Sequence, residues 1–207
     1  GSGSSYDFSN LARKRDVIVV TINYRLGVFG WFSSDFIRET SSGLDKTSNF
    51  GHLDIIEALN WTNRNIKSFG GNPDNITVFG ESAGGHNVLT LLASPLAKGL
   101  FEKAISQSGY VQTHSVDFAT KNSELSSEKI FEEDIKYLTD TQEIVSFLRN
   151  LSSEQVYNKY ISTAEADPYP ITPISVRDDI VIPKEGLYKS LENICLLYTS
   201  DAADDRS

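Results

Sequence analysis

An α/β fold is predicted, with a mostly parallel central sheet, flanking helices and a helical cap segment. Three features of the 207-residue chain predict it. The run Val17 to Ile22 (VIVVTI) is continuous and β-branched, the composition of a strand buried on both faces, as in a parallel sheet. Two further short strand-like stretches, Ile76 to Phe79 and Lys103 to Gln107 (KAISQ), alternate with helical patterns. After Gly109 the texture changes: residues 119–161 are polar, charged and helical in pattern, with little β-branched content.

In chain order, Gly1 to Ser5 reads as a Gly/Ser loop, followed by the strand over Val17 to Ile22. Asn23 to Trp31 and the polar run to Thr47 read as loop. Phe50 to Phe69 reads as a helix, because Leu53, Ile56, Leu59, Ile66 and Phe69 recur at helical spacing, and Gly70-Gly71 stops it. Asn72 to Asn75 is a turn. Ile76 to Phe79 is the second strand, Gly84 to Ala93 a helix, and Lys103 to Gln107 the third strand. Residues 119–161 are expected to supply two to four helices capping the sheet, and Tyr169 to Ile182 a Pro-punctuated extended segment. No internal repeat is visible.

Composition narrows the function classes. Apolar residues make up 39% and charged residues 23%, as in a globular domain. A net charge of −9 fits poorly with nucleic acid or an anionic membrane, which need basic patches. No apolar run reaches the length of a spanning helix. The single cysteine, Cys195, offers neither a disulfide nor a metal cluster. It opens the tail CLLYTSDAADDRS, which resembles a translated frame of a transposon-end sequencing adapter. Residues 195–207 are therefore expected to be non-native, and residues 1–194 to form one domain. The tail carries three Asp and one Arg, so the remainder carries a net of −7.

Residues 78–88, VFGESAGGHNV, place Ser82 between Gly80 and Gly84 directly after an apolar strand. In a strand–turn–helix corner the turn residue projects up from the sheet edge. Side chains two positions either side would collide with strand or helix, so Gly80 and Gly84 fit there. The hydroxyl then sits at a helix N-terminus, where free N–H groups favour developing negative charge. With 26 serines and glycine at about 7%, the pattern arises by chance roughly 0.1 times per chain. Its strand and helix flanks therefore carry the weight. They favour a nucleophile over a serine that merely caps the helix.

The stretches VIVVTINYRLGVFGW, NFGHLDIIEALNWTNRNIKSFGGNPDNITVFGESAGG and GLFEKAISQSG resemble the type-B carboxylesterase family of α/β-hydrolases, the group that includes the cholinesterases. The resemblance runs through residues 1–194 in order and is densest from Val17 to Gly109. It implies a partial α/β-hydrolase domain and an ester hydrolase working through an acyl-enzyme. Ser82 matches the nucleophile, Ala83 an oxyanion-hole N–H, and Glu81 a supporting carboxylate beside the nucleophile. Ser108 matches a serine that hydrogen-bonds the catalytic acid. Its place at the end of the strand after the elbow helix suits the carboxyl edge, where such active sites gather. Arg25 and Asp54 match a structural ion pair. Ile55 and Asn72 depart from the commonest family residues, outside the expected catalytic set. No metal or organic cofactor is implied, and the implied partner is a small-molecule ester.

A serine esterase also needs a base, an orienting acid and further oxyanion donors. On this fold the order is Ser, acid, His. His52 precedes Ser82, and His114 follows too soon. His86 lies on the same helix as Ser82, turned away from the reactive face, as a packing or surface group. The resemblance puts the oxyanion glycines before Gly1 and the acid and histidine beyond Ile194. The chain is thus expected to be an internal fragment, truncated at both ends, with essentially no turnover of its own. An adhesion homologue of the same fold and a serine amidase or peptidase are the alternatives. The triplets at Asn60, Asn75 and Asn150 are glycosylation acceptors only in a secreted eukaryotic protein. They leave localisation open.

Overall fold

The computed structural model describes residues 6–164 and 174–192. Ten α-helices and two strands are assigned there. Helix α1 spans Ser9–Arg15, α2 Gly27–Gly30, α3 Asp35–Thr40 and α4 Phe50–Asn65. Strand β1 (Thr77–Glu81) leads into α5 (Ala83–Ala93), and β2 (Lys103–Gln107) follows. Next come α6 (Ser127–Ile130), α7 (Glu132–Ile135), α8 (Thr141–Asn150), α9 (Ser153–Ala164) and α10 (Gly186–Glu192).

The strands pair in parallel, with Gly80 opposite Ser106 and Glu81 opposite Gln107. Parallel pairing requires a crossover, which α5 supplies. Helix α4 forms as its apolar spacing predicts, burying Ile55, Ile56 and Leu59. It tightens into a 3₁₀ turn over Ile66–Phe69 and stops at Gly70, whose φ of 85° is left-handed and nearly free of penalty only for glycine. Val78, Val88, Leu91, Val181, Ile182 and Leu187 complete this core, so the segment before α10 and the start of α10 pack beneath the strands and α5.

The run Val17 to Ile22 does not become a strand. The described sheet has two strands, and this run is in neither. Val17, Ile18 and Val20 are 40–45% exposed, against the expectation of burial on both faces. β-Branched composition favours extended backbone, but a ladder also needs a hydrogen-bonding neighbour. The expected loop from Asn23 to Thr47 is likewise partly helical, containing α2, α3 and a 3₁₀ turn at Gly43–Lys46. Ser34 caps α3 by accepting from the Ile37 N–H.

Besides a π-helical turn at Phe118–Asn122, the polar segment supplies four α-helices, α6 to α9. Their apolar residues Ile130, Phe131, Ile144 and Leu148 form a second cluster with Phe32, Phe36 and Ile37, separate from the core under the strands. Residues 174–182 are irregular apart from a bridge between Val176 and His114. The Gly1 to Ser5 loop, residues 169–173 of the Pro-punctuated segment, and the tail 195–207 lie outside the described residues.

Arg25 and Asp54 form the expected pair. Nε and one terminal nitrogen of Arg25 donate to the two Asp54 oxygens at 2.8 and 2.7 Å, and the Arg25 backbone N–H adds a third bond at 2.9 Å. Partial burial works to raise the Asp54 carboxyl, but the Arg25 bonds prevail and hold it below its ordinary value. Since half of the Arg25 side chain is in water, Asp54→Asn is expected to cost only about 1 kcal/mol. In urea denaturation, that difference should be present above the ordinary carboxylate pKa and vanish as pH falls through the lowered one. An unchanged midpoint at neutral pH would show that the pair contributes nothing.

Candidate active site

Strand β1 ends at Glu81, and the chain turns into α5 through Ser82. Ser82 has φ 54° and ψ −114°, a left-handed backbone that a non-glycine residue adopts only when its surroundings hold it. Its N–H donates to the Gln107 carbonyl at 2.9 Å, and its carbonyl accepts from the His86 N–H at 2.9 Å. Ser82 is exposed, and its hydroxyl caps no N–H of α5. The capping alternative therefore does not describe it.

Close approach explains the glycines, though not all as expected. A Cβ on Gly80 would lie 2.4 Å from the Gly84 carbonyl carbon. One on Gly84 would meet nothing within 4 Å, so the collision expected at Gly84 is absent. What position 84 contributes is its backbone, which crowds Gly80 and which any residue there would supply. Gly85 and Gly109 went unnoticed in the sequence. A Cβ on Gly85 would lie 2.6 Å from the Gln107 carbonyl, and one on Gly109 2.8 Å from Gly85. Helix α5 is thus seated on the end of β2 by backbone contact, and Ser106 Oγ–H reinforces it by donating to the Gly85 carbonyl at 3.0 Å.

Because Glu81 and Gln107 are register partners, the residues after them, Ser82 and Ser108, share the carboxyl edge of the sheet. Ser108 is also left-handed, with φ 51°, and also exposed. Glu81 and Ala83 are exposed beside Ser82. As the first residue of α5, Ala83 presents its N–H in the turn where helical N–H groups lack intrahelical partners.

Among the described residues no histidine ring hydrogen-bonds the Ser82 hydroxyl. His52 is fully buried: Nδ1 accepts from the Trp31 Nε1–H at 3.3 Å, and Nε2 pairs with Asn87 Oδ1 at 3.1 Å. Asn87 in turn donates to the Tyr24 hydroxyl at 2.9 Å. Burial first, then the nearby His86, pushes the His52 pKa down to about 3. His86 is buried packing, not a surface group, and burial lowers its pKa too. His114 is stacked on Phe118 and lowered by burial and by Arg177. Among the described residues, no cluster of His, Cys, Asp and Glu could hold a metal ion. Nor is any helix there long and apolar enough to cross a membrane.

The chain is similar in sequence and in fold to known esterases. Carboxylesterase 1E of Rattus norvegicus is 40% identical over 193 residues, covering 89% of this chain and 33% of its own length. The para-nitrobenzyl esterase of Bacillus subtilis (strain 168) is 50% identical over 123 residues, covering 59% of this chain and 24% of its own length. A solved PNB esterase superposes with a TM-score of 0.73 at 36% identity, over 92% of this chain and 39% of that one. A carboxylesterase of Geobacillus stearothermophilus gives 0.73 at 34%, over 92% and 39%. The chain spans a third or less of the length of these curated relatives. Residues 1–200 match the carboxylesterase family as a whole, and the chain belongs to that family.

Proposed function

We propose that Ser82 is the nucleophile of a carboxylic-ester hydrolase and that this chain carries it with one oxyanion donor. The observation that supports this most is the state of Ser82: exposed, held left-handed at a strand–helix corner, with a hydroxyl not used as a helix cap. The substrate class is a small carboxylic ester, in keeping with relatives named carboxylesterase and para-nitrobenzyl esterase.

In this reading Ser82 Oγ attacks the ester carbonyl carbon while its proton passes to a histidine supplied elsewhere in the whole protein. The carbonyl electron pair moves onto oxygen, and the Ala83 N–H donates to that oxyanion, helped by the positive end of α5. Collapse expels the alcohol, which takes the proton, and water then releases the acid. Ser108 orients the acid that holds the histidine, and Glu81 supports the site as a carboxylate beside the nucleophile. Gly80 keeps the turn narrow enough for Ser82 to project, because a Cβ there would meet the Gly84 backbone at 2.4 Å.

The test is a fluorophosphonate adduct on the full-length protein carrying this chain, mapped by peptide mass spectrometry. The expected adduct lies on the 78–88 peptide, and Ser82→Ala should abolish it together with at least about 10³-fold of ester turnover. Turnover that survives Ser82→Ala would reject the nucleophile. A wild-type protein that never labels would point to the adhesion alternative. Amide turnover exceeding ester turnover would point to the amidase.

A further inference from the structure

Five non-glycine residues among those described have a left-handed φ, and His86 bonds two of them, Ser82 through its backbone N–H and Ser175 through its ring, while its ring also meets the Tyr110 carbonyl two residues past a third, Ser108. His86 lies one turn into α5, its N–H on the Ser82 carbonyl. Its ring stacks on Tyr110 with centroids 4.3 Å apart, and Nδ1 lies 2.6 Å from the Tyr110 carbonyl oxygen, two residues past Ser108. Its Nε2 pairs with Ser175 Oγ. A carbonyl only accepts, so Nδ1 carries the proton. The Nε2 lone pair of the neutral ring then accepts from the Ser175 hydroxyl.

This is the hydrogen-bond pattern of an activated serine, with a carbonyl orienting the imidazole and the imidazole receiving a hydroxyl. Yet Ser175 is fully buried, so no substrate reaches it. The arrangement therefore serves position. Ser175 is itself tied in: its carbonyl accepts from the His114 N–H at 3.1 Å, and the Arg177 N–H donates to the His114 carbonyl at 2.9 Å. The ring thus joins the elbow helix, the turn after β2 and the segment before α10.

We propose that His86 is the positioning residue of the site. As the Nδ1–H tautomer between the Tyr110 carbonyl and the Ser175 hydroxyl, it holds the Ser82 and Ser108 turns in register at the carboxyl edge. Its functional consequence rests on the reading of Ser82 as nucleophile; its structural content does not. The titratable and charged groups around it are His52 on α4, 6.3 Å away between ring centroids, and Tyr110 and His114 after β2. Arg177 and Asp178 lie on the segment carrying Ser175, and Lys189 and Glu192 on α10, which packs on α5.

The test is ¹⁵N NMR of the 207-residue chain labelled in His and Ser, at pH 8. His86 should show a protonated Nδ1 and an accepting Nε2, and the opposite tautomer overturns the proposal. Ser175→Ala removes only the bond to Nε2, and it should move the Ser82 and Ser108 amide resonances. Ile144→Val, in the separate second cluster, should leave both in place. Serine resonances unmoved by Ser175→Ala, or moved equally by Ile144→Val, also overturn it. In the full-length protein, Ser175→Ala should lower kcat about tenfold with KM within about twofold; a kcat left unchanged overturns the functional consequence. Should the wild-type protein neither label nor turn over ester, the nucleophile reading fails, while the tautomer and the two resonances still decide the role of His86.

Discussion

Gly85→Ala is expected to lose about 3 kcal/mol or more of stability, although Gly to Ala inside a helix ordinarily gains up to about 1 kcal/mol. The sign reverses because of what the new methyl meets. It would lie 2.6 Å from the Gln107 carbonyl oxygen and 2.9 Å from the backbone of Gly109. Neither is a flexible side chain, so α5 must lift from β2. That movement strains the bond from the Ser82 N–H to the Gln107 carbonyl, which sets the height of Ser82 above the sheet. Gly84→Ala is the matched control: its methyl enters open space, and the change should be neutral or stabilising by a few tenths of a kcal/mol. Urea denaturation of the two variants decides the matter. A Gly85→Ala chain as stable as the Gly84→Ala chain would mean that α5 is not seated on the end of β2.

Acid is expected to destabilise this chain well before its carboxylates titrate. His52 is neutral in the fold, because Nδ1 is already occupied by the Trp31 N–H and burial penalises its charge. Unfolding releases it to an ordinary pKa of 6.5, against about 3 when folded. The unfolded chain therefore binds the extra proton, and this contribution is complete above pH 6.5 and lost as pH falls toward 3. Between pH 8 and pH 5 the loss from His52 alone is about 2 kcal/mol, a sizeable part of a typical domain's stability. His86 and His114 are also lowered, so they act in the same direction. Unfolding free energies at pH 8, 6.5 and 5, with proton uptake on unfolding measured at pH 5, test this. His52→Gln should flatten the slope. In the wild-type chain, a His52 ring resonance that titrates near 6.5 would contradict the buried neutral state, whether or not the variant folds.

What could be read from the sequence was local. The elbow is a run of adjacent residues, so strand, turn and helix around Ser82 were all legible, as was α4 from its spacing and its glycine stop. The Arg25–Asp54 pair was legible only through family resemblance, since nothing in spacing joins residues 29 apart. The contacts that seat the site were not legible. Gly85 against Gln107 and His86 against Ser175 are decided by how α5 lands on β2 and on a segment 89 residues away. The Val17 to Ile22 run misled because composition encodes an extended backbone but not the neighbour that makes it a strand. The short helices between Gly27 and Lys46 escaped because four to six residues carry too little periodicity to register.

The half-exposed Val17, Ile18 and Val20 also bear on how this polypeptide behaves in a crowd of its own kind. Six consecutive β-branched residues, partly in water, present a template for cross-β stacking between molecules. A net charge of −9 opposes such encounters at low salt, but added salt screens that repulsion and leaves the template untouched. Colloidal behaviour then turns on ionic strength, and a single lysine in place of Ile18 would act as a gatekeeper where the overall charge does not.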